Sequence, residues 1–345
     1  MKKRLEWLDI AKGIGILLVI LGHCLDLSRT PCQVIFTFHM PLFLILSGYV
    51  YTDRDPLPVL LRKKARSLLV PFCFYFLLGL AVTLVLPGWR EDLTWRGIAG
   101  DLWLGNPNTV HNSSIWFLAA LFFVTLLFRG ICRLAGWGQF FALLTAYCFG
   151  CWYGRARVVV LGFNHLPLNL DVAAVAVVFF ALGYYANRGG VQQALGKSWK
   201  RELAAAVLSG AGLLLVFREN GYVNMHGLQF GSAELYLLGG ILGSVSVVSV
   251  SCLLSRGNRG SARIVRKVLV WYGRHTLTIL GLQSLMIRLY LTGMNRFFGK
   301  ELELYRFPMK HAMVCAVLVG GIACPAGCLA VDAIRNYQKN SKEQA

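Results

Sequence analysis

Charged side chains are scarce in this sequence, and acidic ones are the scarcest. Only 15% of the 345 residues are charged, and 16 Asp and Glu stand against 35 Lys and Arg. A soluble domain of this size carries about 25% charge. The scarcity of charge, with 56% hydrophobic residues, argues against an ordinary soluble globular protein. Apolar runs long enough to span a bilayer recur instead along the whole chain, as in helical membrane proteins.

Several other features are missing. The first residues have a basic start and an apolar core, but no A-x-A-like cleavage site follows, so we interpret them as an uncleaved first helix. No internal repeat or low-complexity tract divides the chain, so we expect a single domain over residues 1–345 with no appended soluble domain. No basic run is interleaved with exposed aromatics in a soluble module, so the net charge of +19 does not indicate a nucleic-acid partner.

The ten cysteines do not form a metal-binding pattern. Nearly all lie inside apolar runs, and Cys148/Cys151 and Cys324/Cys328 have helical spacing rather than zinc-ribbon spacing. We interpret them as small buried hydrophobes and expect no metal site. A disulfide between Cys24 and Cys32 is the alternative for the short loop after the first helix.

Ten candidate spans follow from the apolar runs. They are 7–26, 33–52, 67–87, 115–132, 138–153, 170–187, 202–218, 234–254, 268–291 and 311–334. Helices are the element expected for such runs, because backbone polar groups in lipid must be satisfied internally. With both termini in the cytoplasm, most loop Lys and Arg fall on the inner side, as the positive-inside rule requires. The sequence therefore predicts an all-α polytopic membrane protein.

The first span, LDIAKGIGILLVILGHC, contains three ionisable residues: Asp9, Lys12 and His23. Lys12 and His23 are eleven residues apart, which places them about 20° apart on a helix, and Asp9 lies one turn before Lys12. Such a polar seam is expensive in lipid, so it should face the bundle interior or a wet cavity. The plainer interpretations are an Asp9–Lys12 pair at the cytoplasmic interface and a neutral His23 at the outer one.

A second histidine follows in the next span, QVIFTFHMPLFLILSGYVY. In the proposed topology His39 lies at a depth similar to that of His23, on an adjacent antiparallel helix, so the two imidazoles could share a site suited to proton transfer. Pro41 should kink this helix. Ser47 and Tyr49 come near its inner end, roughly level with Lys12.

A dense basic cluster, LRKKARSLLVPF, follows the second span. Its members are Arg62, Lys63, Lys64 and Arg66. One interpretation is that these positive charges set the orientation of the chain in the membrane or contact lipid headgroups. The other is a phosphate-binding cradle for an anionic donor.

These segments together resemble the membrane-bound acyltransferase family 3, the integral membrane acyltransferases that modify bacterial glycans. Lys12, ten residues and His23 match that family's basic-x10-His pattern, in which arginine is more usual at the first position. Five further segments resemble family motifs in the right order: FHMPLFLILSGY, RKKARSLLVPF, SSIWFLAALF, PLNLDVAAVAVVFFALGYYA and WYGRHTLTILGLQSLMI. The last departs from the family at Gln283, where a histidine is frequent.

The resemblance implies a bacterial inner-membrane enzyme that uses cytoplasmic acyl-coenzyme A, most readily acetyl-CoA, as co-substrate with no bound cofactor. The acceptor would be a hydroxyl of an extracytoplasmic carbohydrate or another cell-envelope component. His23 or His39 would be the base, with His23 favoured. The donor phosphates would be held by Arg62, Lys63 and Arg66. The channel for the donor arm would be lined by Lys12, Ser47 and Tyr49. Asp9, Asn112, Trp116 and Asp171 are further candidates for its lining.

Two other functional classes remain open. A polar seam beside a kinked helix also suits a transporter of a small polar solute such as an amino acid, which would move solute without coenzyme A. A non-catalytic membrane scaffold would leave the alignment of Lys12 with His23 unexplained. The sequence does not specify the acceptor, the acyl group or the oligomeric state.

Overall fold

Most of the described residues fold into helices. The computed structural model describes residues 5–343 except 87, 91–92, 157–164, 192–194, 300–301, 305 and 307, and from 334 onward it describes only the backbone. The α-helices within these residues are α1 Glu6–Cys24, α2 Thr30–Tyr49, α3 Leu57–Lys64, α4 Val70–Val85, α5 Trp95–Leu104, α6 Trp116–Ile131, α7 Trp137–Ala156, α8 Leu170–Arg188, α9 Trp199–Asn220, α10 Ala233–Ser255, α11 Gly260–Arg274, α12 Thr276–Phe298, α13 Met309–Leu318 and α14 Cys324–Glu343. The all-α prediction is confirmed.

Eight helical segments of the described chain are long and apolar enough to cross a membrane. They are Glu6–Cys24, Thr30–Tyr49, Leu57–Val85, Ser113–Ile131, Pro167–Arg188, Ala233–Ser255, Thr276–Phe298 and Met309–Ala333. The other two predicted spans, 138–153 and 202–218, fall in α7 and α9, which are helices of 20 and 22 residues outside this set. Trp, Tyr and Gly lower the hydropathy of α7, and charged residues occupy both ends of α9. The prediction of ten spans with both termini in the cytoplasm stays a prediction.

Two of the long segments pass through a π-helical turn just before a proline. The turns are Ala65–Leu69, ahead of Pro71, and Val319–Ala323, ahead of Pro325. A proline has no N–H to donate to the carbonyl one turn back, and its ring crowds that carbonyl. The wider turn accommodates the mismatch, so the segments continue as single spans of 29 and 25 residues.

Two helix pairs pack backbone to backbone at glycines. A Cβ on Gly48 of α2 would collide with the carbonyl of Phe180, and one on Gly183 of α8 would collide with the carbonyl of Ile45. We call this pair the α2–α8 clamp. Such small residues allow the close approach that favours helix association in lipid.

The second pair, the α1–α11 clamp, repeats this reciprocal arrangement. A Cβ on Gly13 would meet the carbonyl of Leu269, and one on Gly273 would meet the carbonyl of Asp9. The two clamps therefore hold α1 and α2, the helices that carry the candidate histidines, against different partners.

The bundle has two chemically different ends. At the end that contains Arg62 and Arg66, which we call the basic end, buried Arg129 donates to the backbone carbonyls of Asp53 and Asp55. These bonds fix the connection between α2 and α3 against α6. The opposite end, which we call the histidine end, contains His23 at the end of α1, and His39 lies below it near the middle of α2.

Candidate functional site

A cavity of about 240 Å³ lies at the histidine end of the bundle. The polar and aromatic side chains that line it are His23, His39, His226, Asn108, Asn224, Ser113, Ser114, Phe36, Trp116 and Tyr222. They come from α1, α2, the start of α6 and the segments that precede α6 and α10. Among the described residues no Asp, Glu, Lys or Arg lines this space. We call it the histidine cavity.

His39 is held in a defined orientation. Its side chain is buried, and its Nδ1 lies 2.8 Å from the carbonyl oxygen of Ile35, one turn earlier on α2. A carbonyl only accepts hydrogen bonds, so Nδ1 must carry the proton. In a neutral imidazole Nε2 is then the basic nitrogen. His39 is therefore oriented as a proton acceptor.

His23 lies where two spaces meet. It lines the histidine cavity and also a much smaller pocket with His111, Ser284 and Arg288. The Phe36 ring contacts both candidate imidazoles edge-on, with centroids 6.2 Å from His23 and 5.0 Å from His39. His23 and His39 thus line one cavity and contact the same aromatic ring, and their sharing of a catalytic site stays a prediction.

A third histidine, His226, completes the wall. It comes from the α9–α10 connection, and its ring stacks on Trp116 at 4.8 Å and on His165 at 5.4 Å. Burial, and then repulsion by His165, lowers the pKa of His226 to about 3, while Asp171 acts in the opposite direction. The imidazole is therefore neutral at physiological pH.

Backbone strain is concentrated around this wall. Among non-glycine residues of the described chain, His111, Leu168, Asn169 and Leu228 have positive φ. All four belong to connections at the histidine end. A left-handed conformation costs an ordinary residue about 1–2 kcal/mol. Such strain persists only where the surroundings over-determine it, which is common at functional sites.

Three other predicted lining residues lie close to the cavity in different ways. Trp116 lines it directly. Asn112 is fully buried behind it, where its amide donates to the carbonyls of Tyr75 and Gly281 and joins α4 to α12. Asp171 is also fully buried, and its carboxylate lies 2.9 Å from Nδ1 of His165.

The predicted residues of the α1 seam separate into two regions. Asp9 is buried and pairs with Arg274 at 3.7 Å, beside the α1–α11 clamp. Lys12 is half-buried and lies about 16 Å from His23 along the helix. Neither Asp9 nor Lys12 lines the histidine cavity.

The predicted donor residues are at the basic end. Arg62 and Arg66 are exposed, and Lys63 pairs with Asp55 at 2.9 Å. Ser47 is half-buried, and Tyr49 is buried with its ring edge-on to Trp7 at 5.2 Å. None of these five residues lines the histidine cavity. The cavity therefore does not include the part of the predicted donor channel that lies at the basic end.

Sequence reasoning missed the residues that approach the cavity from connecting segments. They are Asn108, Ser113, Ser114, Tyr222, Asn224 and His226, with His165 behind them. The stretches NPNTVHNSS and GYVNMHG carry unusually many hydroxyl, amide and imidazole groups between apolar runs. That enrichment in polar side chains was the feature of the sequence that could have indicated a site in these two segments.

Comparison with known proteins identifies the same family that the sequence motifs resemble. A family model described as an acyltransferase domain, that of acyltransferase family 3, matches residues 5–330. Nodulation protein NolL of Mesorhizobium japonicum is 26% identical over 306 residues, which cover 81% of this chain and 76% of NolL. Nodulation protein NolL of Sinorhizobium fredii is 26% identical over 312 residues, covering 81% and 77%. No solved structure matches the chain.

Proposed function

The chain belongs to acyltransferase family 3, and from that premise we propose that it moves an acyl group from cytoplasmic acyl-CoA to a hydroxyl of an extracytoplasmic glycan. Acetyl is the proposed group because it is the smallest and commonest. The single observation that carries the proposal is the histidine cavity, in which His23 and His39 face a shared interior space. Since both similar proteins are bacterial, we place the enzyme in a bacterial cytoplasmic membrane.

The chemistry at the cavity needs a base and a stabilised oxyanion. In the proposed reaction His23 takes the proton of the acceptor hydroxyl as its oxygen bonds to the acyl carbon. The C–S bond breaks, and the proton passes from His23 to the departing thiolate of coenzyme A. His39 accepts a hydrogen bond through Nε2 from a neighbouring hydroxyl of the acceptor and so orients it, and the hydroxyls of Ser113 and Ser114 are candidates for stabilising the oxyanion.

Donor binding is assigned to the basic end. Arg62 and Arg66 are exposed cations suited to the phosphates of coenzyme A, and Lys63 adds charge beside them although it is paired with Asp55. The acyl arm would then run along α1 and α2, past Lys12, Ser47 and Tyr49, towards the histidines. This path has to cover about 16 Å along α1.

The decisive experiment measures transfer of label from acetyl-CoA to surface glycans in membranes that contain the protein. We expect His23→Ala to lower transfer by about 10²–10⁴-fold at unchanged protein level, the usual range for removing a general base. His39→Ala should also lower it. His311→Ala, at the start of α13 and outside the described cavities, is the matched control.

Full transfer by His23→Ala would contradict the base assignment. Solute uptake without coenzyme A, together with no acylated product from the native protein, would instead favour the transporter. A lost acyl increment in the mass spectra of surface glycans from cells without the gene would support the enzyme.

A further inference from the structure

Beside the two proposed catalytic histidines lies a stack of three rings that the mechanism above does not use. His226 lies between Trp116, with centroids 4.8 Å apart and planes 29° apart, and His165, at 5.4 Å and 12°. Both flanking contacts are stacked rather than edge-on. The position of the His226 ring is thus fixed on both faces.

The outer ring of the stack is anchored by a buried carboxylate. Asp171 has no exposed surface, and its Oδ2 lies 2.9 Å from Nδ1 of His165, which donates to it. Its other oxygen accepts the backbone N–H of Val172 at 2.9 Å, at the start of α8. With both oxygens engaged, Asp171 fixes His165 relative to α8, and His165 in turn backs His226.

The segment that carries His226 is also fixed. Asn224 and Gln229 form a pair of backbone hydrogen bonds across the turn, at 2.7 and 2.9 Å. The Asn224 side chain accepts the N–H of Gly227, and Leu228 is held at a positive φ. These hydrogen bonds close the turn that carries His226 against the cavity wall.

His226 has unused hydrogen-bonding capacity. Its Nε2 is buried and has no hydrogen-bond partner among the described residues. A polar atom left in that state costs stability unless a further partner satisfies it. The His226 side chain lines the histidine cavity, so a molecule bound there is the available partner.

The rest of the lining indicates the chemistry of that molecule. Around His226 lie the amides of Asn108 and Asn224 and the hydroxyls of Ser113 and Tyr222, and the aromatic face of Trp116 is adjacent. Amides, hydroxyls and an aromatic face suit an uncharged polyhydroxyl unit. The volume of about 240 Å³ lies below the range of about 300–1,000 Å³ typical of drug-sized ligands, so it suits one sugar unit rather than an oligomer.

We propose that His226 binds an uncharged sugar unit of the acceptor in the histidine cavity, and that the His165–Asp171 pair positions His226 through the ring stack. His226 is then an acceptor-binding residue, and His165 and Asp171 are positioning residues. The inference rests on the acyl transfer proposed above, and it adds that the reacting unit of the acceptor carries no charge.

The test measures two rates in the same purified protein in lipid nanodiscs with labelled acetyl-CoA. The first is transfer to a surface-glycan extract as a function of glycan concentration. The second is slow hydrolysis of acetyl-CoA without glycan, which needs the donor and the base but no acceptor. His226→Phe keeps a ring in the stack and removes both nitrogens, so it separates binding from packing.

We expect His226→Phe to raise the half-saturating glycan concentration about tenfold, the effect of one lost hydrogen bond with a buried partner. Hydrolysis and the half-saturating acetyl-CoA concentration should stay within about twofold of native. His226→Gln, which restores hydrogen bonding, should recover part of the loss. His311→Phe, a replacement of the same kind outside the described cavities, should change neither rate.

A separate measurement tests whether Asp171 acts by positioning His226. Asp171→Asn should raise the half-saturating glycan concentration about threefold in the native background and have no further effect in His226→Phe. This non-additivity distinguishes action through His226 from a general loss of structure. Additive effects of the two substitutions would overturn the positioning role.

Two results would overturn acceptor binding by His226. One is an unchanged half-saturating glycan concentration in His226→Phe. The other is an equal fall of transfer and hydrolysis, which would place His226 in the base machinery or in folding. A native protein that neither transfers nor hydrolyses acetyl-CoA would overturn the proposed function itself, and this inference with it.

Discussion

At the scale of single residues, the neutral state of His226 makes a prediction about stability. Burial, and then repulsion by His165, lowers the pKa of His226 from 6.5 to about 3. In the unfolded chain the imidazole takes up a proton as the pH falls through 6.5, whereas in the folded protein it does so only near 3. The unfolded state therefore binds more protons in this window, and the free energy of unfolding should decrease as the pH falls through it.

His226→Phe cannot take up that proton in either state, so its stability should decline less steeply with falling pH than that of the native protein. Thermal unfolding in detergent between pH 7 and pH 4 checks this, with His311→Phe as the control. Equal slopes for the native protein and His226→Phe would show that His226 is not held neutral by the fold.

The site residues that were predicted from the sequence lie mainly on long helices, whereas the ones that were missed lie mainly on connections between helices. The meeting of His23 with His39 follows from depth on two consecutive antiparallel helices, which the hydropathy pattern already gives. The approach of His226 requires the folding of a connection, and its ring partners Trp116 and His165 come from distant segments. Periodicity carries no information about such contacts, although composition marks the segments as polar.

At the scale of helices, the α2–α8 clamp predicts a sharp response to the smallest possible substitution. Gly48→Ala would drive a methyl group into the carbonyl of Phe180 across the helix contact. Because the obstacle is backbone rather than a flexible side chain, we expect a loss of about 1–3 kcal/mol, as for overpacked cores. Gly183→Ala should behave similarly. Thermal unfolding in detergent measures both.

Gly130 supplies the matched control within α6. A Cβ there meets nothing within 4 Å, so Gly130→Ala should leave stability unchanged or raise it by up to about 1 kcal/mol. If Gly48→Ala were as harmless as Gly130→Ala, the close approach of α2 and α8 would be wrong.

Helix positions were largely predictable and local deviations were not. The spans centred on α1, α2 and α8 follow directly from long apolar runs. The π-turns before Pro71 and Pro325 escaped prediction, because sequence marks a proline as a break while neighbouring helices can keep the segment continuous. The membrane-spanning status of α7 and α9 stays open because their hydropathy is diluted by polar and charged residues.

At the scale of the whole molecule, the separation of the basic end from the histidine end predicts separable kinetics. Joint substitution of Arg62 and Arg66 by Ala should raise the half-saturating acetyl-CoA concentration about tenfold or more and leave saturated transfer nearly unchanged, since lost uniform binding affects KM alone. Arg133→Ala, another exposed cation just after α6, is the control. A fall in kcat with unchanged KM would contradict donor binding at Arg62 and Arg66.

The orientation of the molecule gives a second prediction at this scale. If the basic end faces the cytoplasm, a cysteine at Arg218 should react with a membrane-impermeant maleimide in intact cells, and one at Asn258 should react only after lysis. Both positions are exposed, one at the end of α9 and the other between α10 and α11. A cysteine-free background is required because Cys73 and Cys148 are exposed. The reverse labelling pattern would invert the topology.

The two glycine clamps have a mechanical consequence. His23 belongs to α1, which is fastened to α11, and His39 belongs to α2, which is fastened to α8. Each imidazole therefore belongs to a helix that a different clamp holds. Both clamps would stay intact if α1 shifted along α2, but Gly22 of α1 would then move past the side chains of Ile35 and Phe36 of α2. The separation of the two imidazoles therefore depends on how α1 packs against α2, and neither clamp sets it.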